Sequence, residues 1–513
     1  MKSTAAVGGM TFVSRLLGFV RDIVIARYFG AATGTDAFFV AFRIPNLLRR
    51  LFAEGAFAQA FVPVLSDYKE RADRTELKRF LDRTAGGLSL ALFIITLVGI
   101  FAAPALIILF APGFYRNAGQ FELTVTMLRI TLPYLFFISL TAFAGAILNT
   151  WGRFAIPAFT PVFLNLVMIA AAIWLAPQLS EPITALAWSV LIAGVVQLAF
   201  QVPALLRAGV LPRPRYGFHD PGVRRIIKTI GPAIFGASVP QVNLLVDTLI
   251  ASFLVSGSVS WLYYSDRLVE FPLGIFGVAI GTVILPHLSK NHANRDRDGF
   301  SRSLDWALRW VILIGLPATL GLALLSEPMI ATLFQYDRFS AHDAEMASRS
   351  LMTYAIGLTG FIAIKVLIPG FSSRQDLRTP VRYGVYAILT NLGLNLALIF
   401  QLAPIGWGHA GLALATALAA LLNAGLLLAK LLKDRIYRPE PGWGIFLLRV
   451  ALAGGVMSPL LIHASNAYPW QLWSPGDRIS HLALWILLGF AAYVSCLTLT
   501  GLRPRHMLVP EST

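Results

Sequence analysis

The sequence predicts an all-α integral membrane protein with about fourteen transmembrane helices. Hydrophobic residues make up 57% of the 513-residue chain and charged residues only 13%, where a soluble domain spends about a quarter of its residues on charge. Nearly uncharged runs such as 86–110, 311–325 and 410–428 recur along the chain, and about 20 apolar residues in helical form cross the hydrocarbon of a bilayer. Only helices or closed barrels satisfy the backbone there, and runs of this length are helices. Finally, Lys and Arg concentrate in every second loop.

Each span is justified by such a run. We place the fourteen near residues 5–28, 35–66, 85–110, 121–149, 157–176, 184–206, 229–254, 259–288, 303–325, 345–372, 379–401, 409–429, 442–464 and 480–501. One set of alternate loops holds Lys2, Arg153, Arg503, Arg505 and the basic clusters of 69–83, 207–228, 290–302, 374–382 and 430–438, 27 Lys and Arg together. The other set holds only Arg116, Arg338 and Arg478. The positive-inside rule then puts both termini in the cytoplasm.

The net charge of +16 does not imply a nucleic-acid partner, because the basic residues sit in short loops between apolar runs and not on one face of a soluble domain. A single cysteine, Cys496, excludes a disulfide framework and reads as a small apolar filler. Arg15, Arg21 and Asp22 interrupt the first run, so it does not read as a cleavable signal.

A weak repeat recurs at an offset of about 223 residues. Asn149-Thr-Trp-Gly-Arg153, followed by Pro157 and Asn165, is matched by Ser372-Ser-Arg-Gln-Asp376, followed by Pro380 and Asn391. The first six spans and the next six then form two homologous bundles of the same orientation, a transporter architecture, while the last two spans have no counterpart. The expected divisions are 1–220, 221–438 and 439–513.

Charges inside the spans are the most informative feature. A centrally placed Arg costs several kcal/mol, so it faces water or a partner. In the second span Asp36, Arg43, Arg50 and Glu54 share one helical face, a stripe of roughly 27 Å at about 1.5 Å per residue. Such a face cannot meet lipid. The first span adds Arg15, Arg21 and Asp22, the seventh Asp247, the eighth Asp266, Arg267 and Glu270, and the tenth Lys365. One reading is a water-filled cavity lined by Arg15, Arg21, Arg43, Arg50, Arg267 and Lys365, suited to a phosphate group. The other is a set of structural ion pairs, such as Arg50 with Glu54 or Arg267 with Glu270. Prolines within or beside spans, Pro45, Pro63, Pro240, Pro272 and Pro369 among them, free backbone groups and read either as hinges or as packing kinks.

The remaining inventory argues against chemistry. The eight histidines are scattered without metal-ligand spacing, no phosphate-cradling Gly-Lys loop is present, and no loop cluster of carboxylates could hold Mg²⁺ beside a pyrophosphate. No cofactor, metal or catalytic residue is expected.

Ser14-Arg-Leu-Leu-Gly-Phe-Val-Arg-Asp22, the stretch from Thr35-Asp-Ala-Phe-Phe-Val-Ala-Phe-Arg43 to Phe57, the segment 257–272 and the segment 365–376 together resemble the MurJ/MviN family of bacterial lipid II flippases over the whole chain. The resemblance implies the fold of the multidrug/oligosaccharidyl-lipid/polysaccharide exporter superfamily, with two six-helix lobes in a V and two extra C-terminal helices offering a groove for a lipid tail. It implies export of lipid II, the undecaprenyl-pyrophosphate-linked disaccharide-pentapeptide, from the inner to the outer leaflet of the bacterial cytoplasmic membrane, with lipid and cell-wall synthesis proteins as partners. Carried over position by position, Arg15, Arg21, Arg43, Arg49, Arg50 and Arg267 would line the central cavity, with Asp36, Glu54, Ser260 and Lys365 also at functional positions. A flippase for another polyprenyl-linked glycan, such as an O-antigen unit, would share these charges. A drug or cation antiporter should show acidic cavity residues, a polyprenyl-phosphate glycosyltransferase should show metal-binding loops, and a scaffold needs no buried arginines.

Overall fold

The computed structural model describes residues 2–50, 57–217 and 219–502, with the backbone course alone for 2–7 and 231–244. Glu54 lies outside the described residues. No described residue forms a strand. The chain divides into two compact units, Met1–Ser260 and Trp261–Thr513.

In the first unit the helices are α1 (Lys2–Phe29), α2 (Thr33–Arg49), α3 (Phe57–Arg71), α4 (Arg74–Phe101), α5 (Ala103–Phe110), α6 (Ala118–Thr131), α7 (Tyr134–Thr150), α8 (Ala155–Phe159), α9 (Pro161–Ala170), α10 (Thr184–Ala208) and α11 (Pro221–Ala251). The helix α12 (Ser258–Pro272) begins at its end. The second unit continues with α13 (Val278–Ala293), α14 (Arg297–Leu324), α15 (Ser326–Phe334), α16 (Ala341–Ile356), α17 (Leu358–Ser372), α18 (Arg378–Leu402), α19 (Gly408–Lys433), α20 (Trp443–Asn466) and α21 (Pro475–Leu499).

Among the described residues ten helical stretches are long and apolar enough to cross a membrane, and the pair α16–α17, bent by 41°, makes an eleventh if taken as one broken span. The expected first, second and seventh spans coincide with α1, with α2 and α3, and with α11. The first two of these are where Arg15, Arg21, Asp22, Asp36, Arg43 and Arg49 fall.

Local signals account for many of the helix starts. Asp73, Asp220, Asp296 and Ser474 each accept a backbone N–H of the helix they precede, and Ser340 with Asp343 forms a reciprocal capping box before α16. Proline sets the joints: Pro133 separates α6 from α7, and Pro161 opens α9 just after α8. Large apolar side chains such as Phe101, Leu109, Leu389, Phe400 and Leu487 are exposed, a surface that a soluble monomer does not present and a bilayer covers.

Within the first unit α10 packs against α7 and α9, α2 against α6, and α11 against α3. Phe57, Phe61, Phe80, Phe143 and Ile147 are buried together. Within the second unit α19 packs against α16, α17 and α18, and the α20–α21 hairpin lies on α14. One carboxylate joins the hairpin to α14. Asp305 Oδ1 accepts from the Tyr437 hydroxyl at 2.8 Å, the Glu440 N–H at 3.0 Å and Trp443 Nε1 at 2.6 Å, while Oδ2 accepts from Arg309 Nε at 2.7 Å.

Candidate functional site

The charged face of α1 and α2 is built in the first unit. Arg15 is exposed, whereas Arg21 and Asp22 are buried. Arg21 donates to Asp22 Oδ1 through Nε at 3.0 Å and Nη2 at 2.7 Å, and through Nη1 to Asn165 Oδ1 on α9 at 3.1 Å. Asn165 Nδ2 donates in turn to the Ser14 carbonyl at 3.0 Å. A buried guanidinium is tolerated when a carboxylate and neutral acceptors surround it, and this one ties α1 to α9.

Asp36 is 1% exposed. Its carboxylate accepts from Gly257 N at 2.7 Å, Ser260 N at 2.8 Å and Ser260 Oγ at 2.6 Å. Those amides belong to the first turn of α12, whose positive dipole end favours an anion. Gly257 holds φ at +96° to enter that turn, a conformation open to glycine. Asp36 and Ser260, expected at functional positions, are therefore brought together as a helix cap supplied from α2.

Farther along α2, Arg43 is half-buried and donates to the Thr248 hydroxyl on α11. Arg49 donates through Nε and Nη2 to Asn46 Oδ1 at 3.0 and 2.8 Å. Arg50, also half-buried, stands at the C-terminal end of the helix, its N–H directed at the Asn46 and Leu47 carbonyls.

Arg49 and Ser14 also line a cavity of about 850 Å³ within the first unit, with residues of α3, α7, α9 and α10. Lys69, Glu70 and Asn149 are its exposed polar lining residues. Deeper, the lining is neutral: Thr141, Thr160, Asn165, Gln197 and Gln201, all buried. The sequence reading passed over the two glutamines. Their i,i+4 spacing in an apolar run was the available signal, since neutral amides inside a span also need partners.

In the second unit Arg267 Nη1 donates to Glu270 Oε2 at 2.6 Å, and the guanidinium lies 4.8 Å from the Tyr263 ring centroid. The pair is partly exposed. Lys365 on α17 is exposed, and among the described residues it has no ion pair. Among the described residues no group of three or more His, Cys, Asp or Glu could hold a metal ion.

The helical fold defines the class first: a multi-pass membrane protein with the architecture of MOP-superfamily transporters. A solved structure of a multidrug resistance MATE family transporter of that superfamily, in an inward-facing conformation, matches with a TM-score of 0.65 over 84% of this chain and 98% of that one, at 14% identity. That likeness is one of fold alone. A solved lipid II flippase MurJ, in an inward closed conformation, matches with a TM-score of 0.78 over 96% of this chain and 99% of that one, at 27% identity. The profile of the family described as Lipid II flippase MurJ matches residues 25–480. The probable lipid II flippase MurJ of Vibrio cholerae serotype O1 (strain ATCC 39315 / El Tor Inaba N16961) is 47% identical over 99% of this chain and 97% of its own length. The chain belongs to the lipid II flippase MurJ family, a family of transporters and not of enzymes.

Proposed function

We propose that this chain translocates lipid II from the inner to the outer leaflet of the cytoplasmic membrane by alternating access, with a cationic cavity receiving the pyrophosphate. Family membership over nearly the full length is the observation that carries the reading. The charges support it. Arg49 faces a roomy cavity, Arg15 and Lys365 are exposed at positions that fall within expected spans, and Arg267 shares its carboxylate partner with solvent. Guanidinium groups offer a diphosphate planar, paired donors, which offsets part of the cost of dehydrating it. The isoprenoid tail stays in lipid.

In this reading the chain crosses the membrane fourteen times with both termini in the cytoplasm. Residues 1–220 and 221–438 form the two homologous lobes, and 439–513 the tail groove. Arg15, Arg43, Arg49, Arg50, Arg267 and Lys365 meet the substrate. Arg21, Asp36 and Ser260 hold the helices that present those groups.

Leaflet-resolved labelling of lipid II in cells depleted of the protein tests the function. Accumulation in the inner leaflet is expected, and undiminished delivery to the outer leaflet overturns the reading. Arg15→Ala, Arg43→Ala and Arg267→Ala should each abolish complementation at normal membrane abundance. Normal growth of all three would show that these charges do not serve transport.

A further inference from the structure

Away from Arg49 and Lys69, the cavity of the first unit is chemically unlike a phosphate site. Its deep wall is built from amides and hydroxyls, flanked by Tyr134, Phe154 and Pro157. Two of its side chains carry unanswered acceptors. Gln197 and Gln201 are 2% and 1% exposed, and each is oriented by Thr160, at the joint between α8 and α9. Gln197 Nε2 donates to the Thr160 carbonyl at 3.2 Å. That oxygen can only accept, so the amide nitrogen must face it and Oε1 must face away. The Thr160 hydroxyl spends its hydrogen on the Ile156 carbonyl at 2.9 Å, and therefore accepts from Gln201 Nε2 at 3.0 Å. Gln201 Oε1 is thereby also turned away. Neither Oε1 meets a donor among the described residues.

A buried acceptor left without a donor is costly, and in the wall of a cavity it invites a donor from within. Gly145 keeps the approach to one of them open, since a methyl group there would lie 3.7 Å from Gln201 Oε1. The needed ligand presents N–H or O–H donors on a ring with apolar faces. Its size fits a cavity of about 850 Å³, within the roughly 300–1,000 Å³ of small-molecule sites.

We propose that this cavity is a sugar subsite, in which Gln197 and Gln201 accept hydrogen bonds from the acetamido and hydroxyl groups of the lipid-linked glycan. The pyrophosphate is left to the arginines. The proposal rests on the flippase reading and divides its substrate between two kinds of chemistry.

Binding to the purified full chain in lipid nanodiscs, with lipid II and with undecaprenyl pyrophosphate as probes, tests it. Two variants are compared: Gln197→Leu combined with Gln201→Leu, and Ser66→Leu, which intrudes on the cavity from α3 without touching either glutamine. Both should weaken lipid II binding at least tenfold and leave undecaprenyl pyrophosphate within about twofold of the parent. Unchanged lipid II affinity in both variants, meaning that water alone answers the two oxygens, overturns the proposal. So does an equal loss of both probes in Ser66→Leu. A parent protein that binds neither probe sinks the flippase reading itself, a distinguishable result.

Discussion

A carboxylate as enclosed as Asp36 is held in part by donors from the start of α12. Replacing it by asparagine keeps the shape but turns an N–H toward donors and removes the charge that the helix end favours. Asp36→Asn should cost about 2–3 kcal/mol, the worth of charge-assisted bonds at a buried site, read as a lower Tm of the detergent-solubilised protein. An unchanged Tm would show that the cap is dispensable. Tyr437 makes a complementary test in the loop between α19 and α20. Burial, and then the Asp305 carboxylate that accepts its hydrogen bond, push the phenol well above its ordinary range. A raised pKa means stability fully present below the unfolded phenol pKa of about 10 and lost as pH rises beyond it. Unfolding of the parent should therefore become easier above about pH 10 by more than in Tyr437→Phe, and identical alkaline profiles would contradict this.

At the scale of elements, the apolar helices were legible because a bilayer demands one simple property of them, and α10, α18, α19, α20 and α21 fall where hydropathy put them. Helix α2 was legible for the opposite reason, as its charges at 36, 43 and 50 announce a face that cannot meet lipid. What the residues alone could not fix was which charges are already occupied. Arg21 reads like Arg15 in sequence, yet Asn165, 144 positions away, is one of its partners. The glutamines of α10 escaped for a related reason: a neutral amide hardly dents hydropathy, and its partner Thr160 lies on a different helix. Close packing of the loop before α11 was also hidden. A Cβ at Gly86 of α4 would fall 2.0 Å from the Arg215 carbonyl, far inside any real contact. Gly86→Ala should displace the 210–217 loop from Asp82 and speed proteolysis there; a cleavage rate equal to the parent's would refute the contact.

For the whole molecule, the uneven distribution of 27 basic residues against three is a statement about sidedness. The chain's one cysteine, Cys496, makes the check direct. In a Cys496→Ser background, Leu472→Cys in the exposed turn before α21 should react with an impermeant maleimide in intact spheroplasts. Lys78→Cys, exposed near the start of α4, should react only after permeabilisation. The reverse pattern would invert the topology. The Asp305 junction bears on how such a molecule moves. A phenol, an indole and a main-chain amide converge on one oxygen, so sliding α20 along α14 by a single helical turn would unhook Trp443 and pull on the loop that carries the other two. Such a junction favours joint movement of α14 and the start of α20, with motion taken up at joints elsewhere.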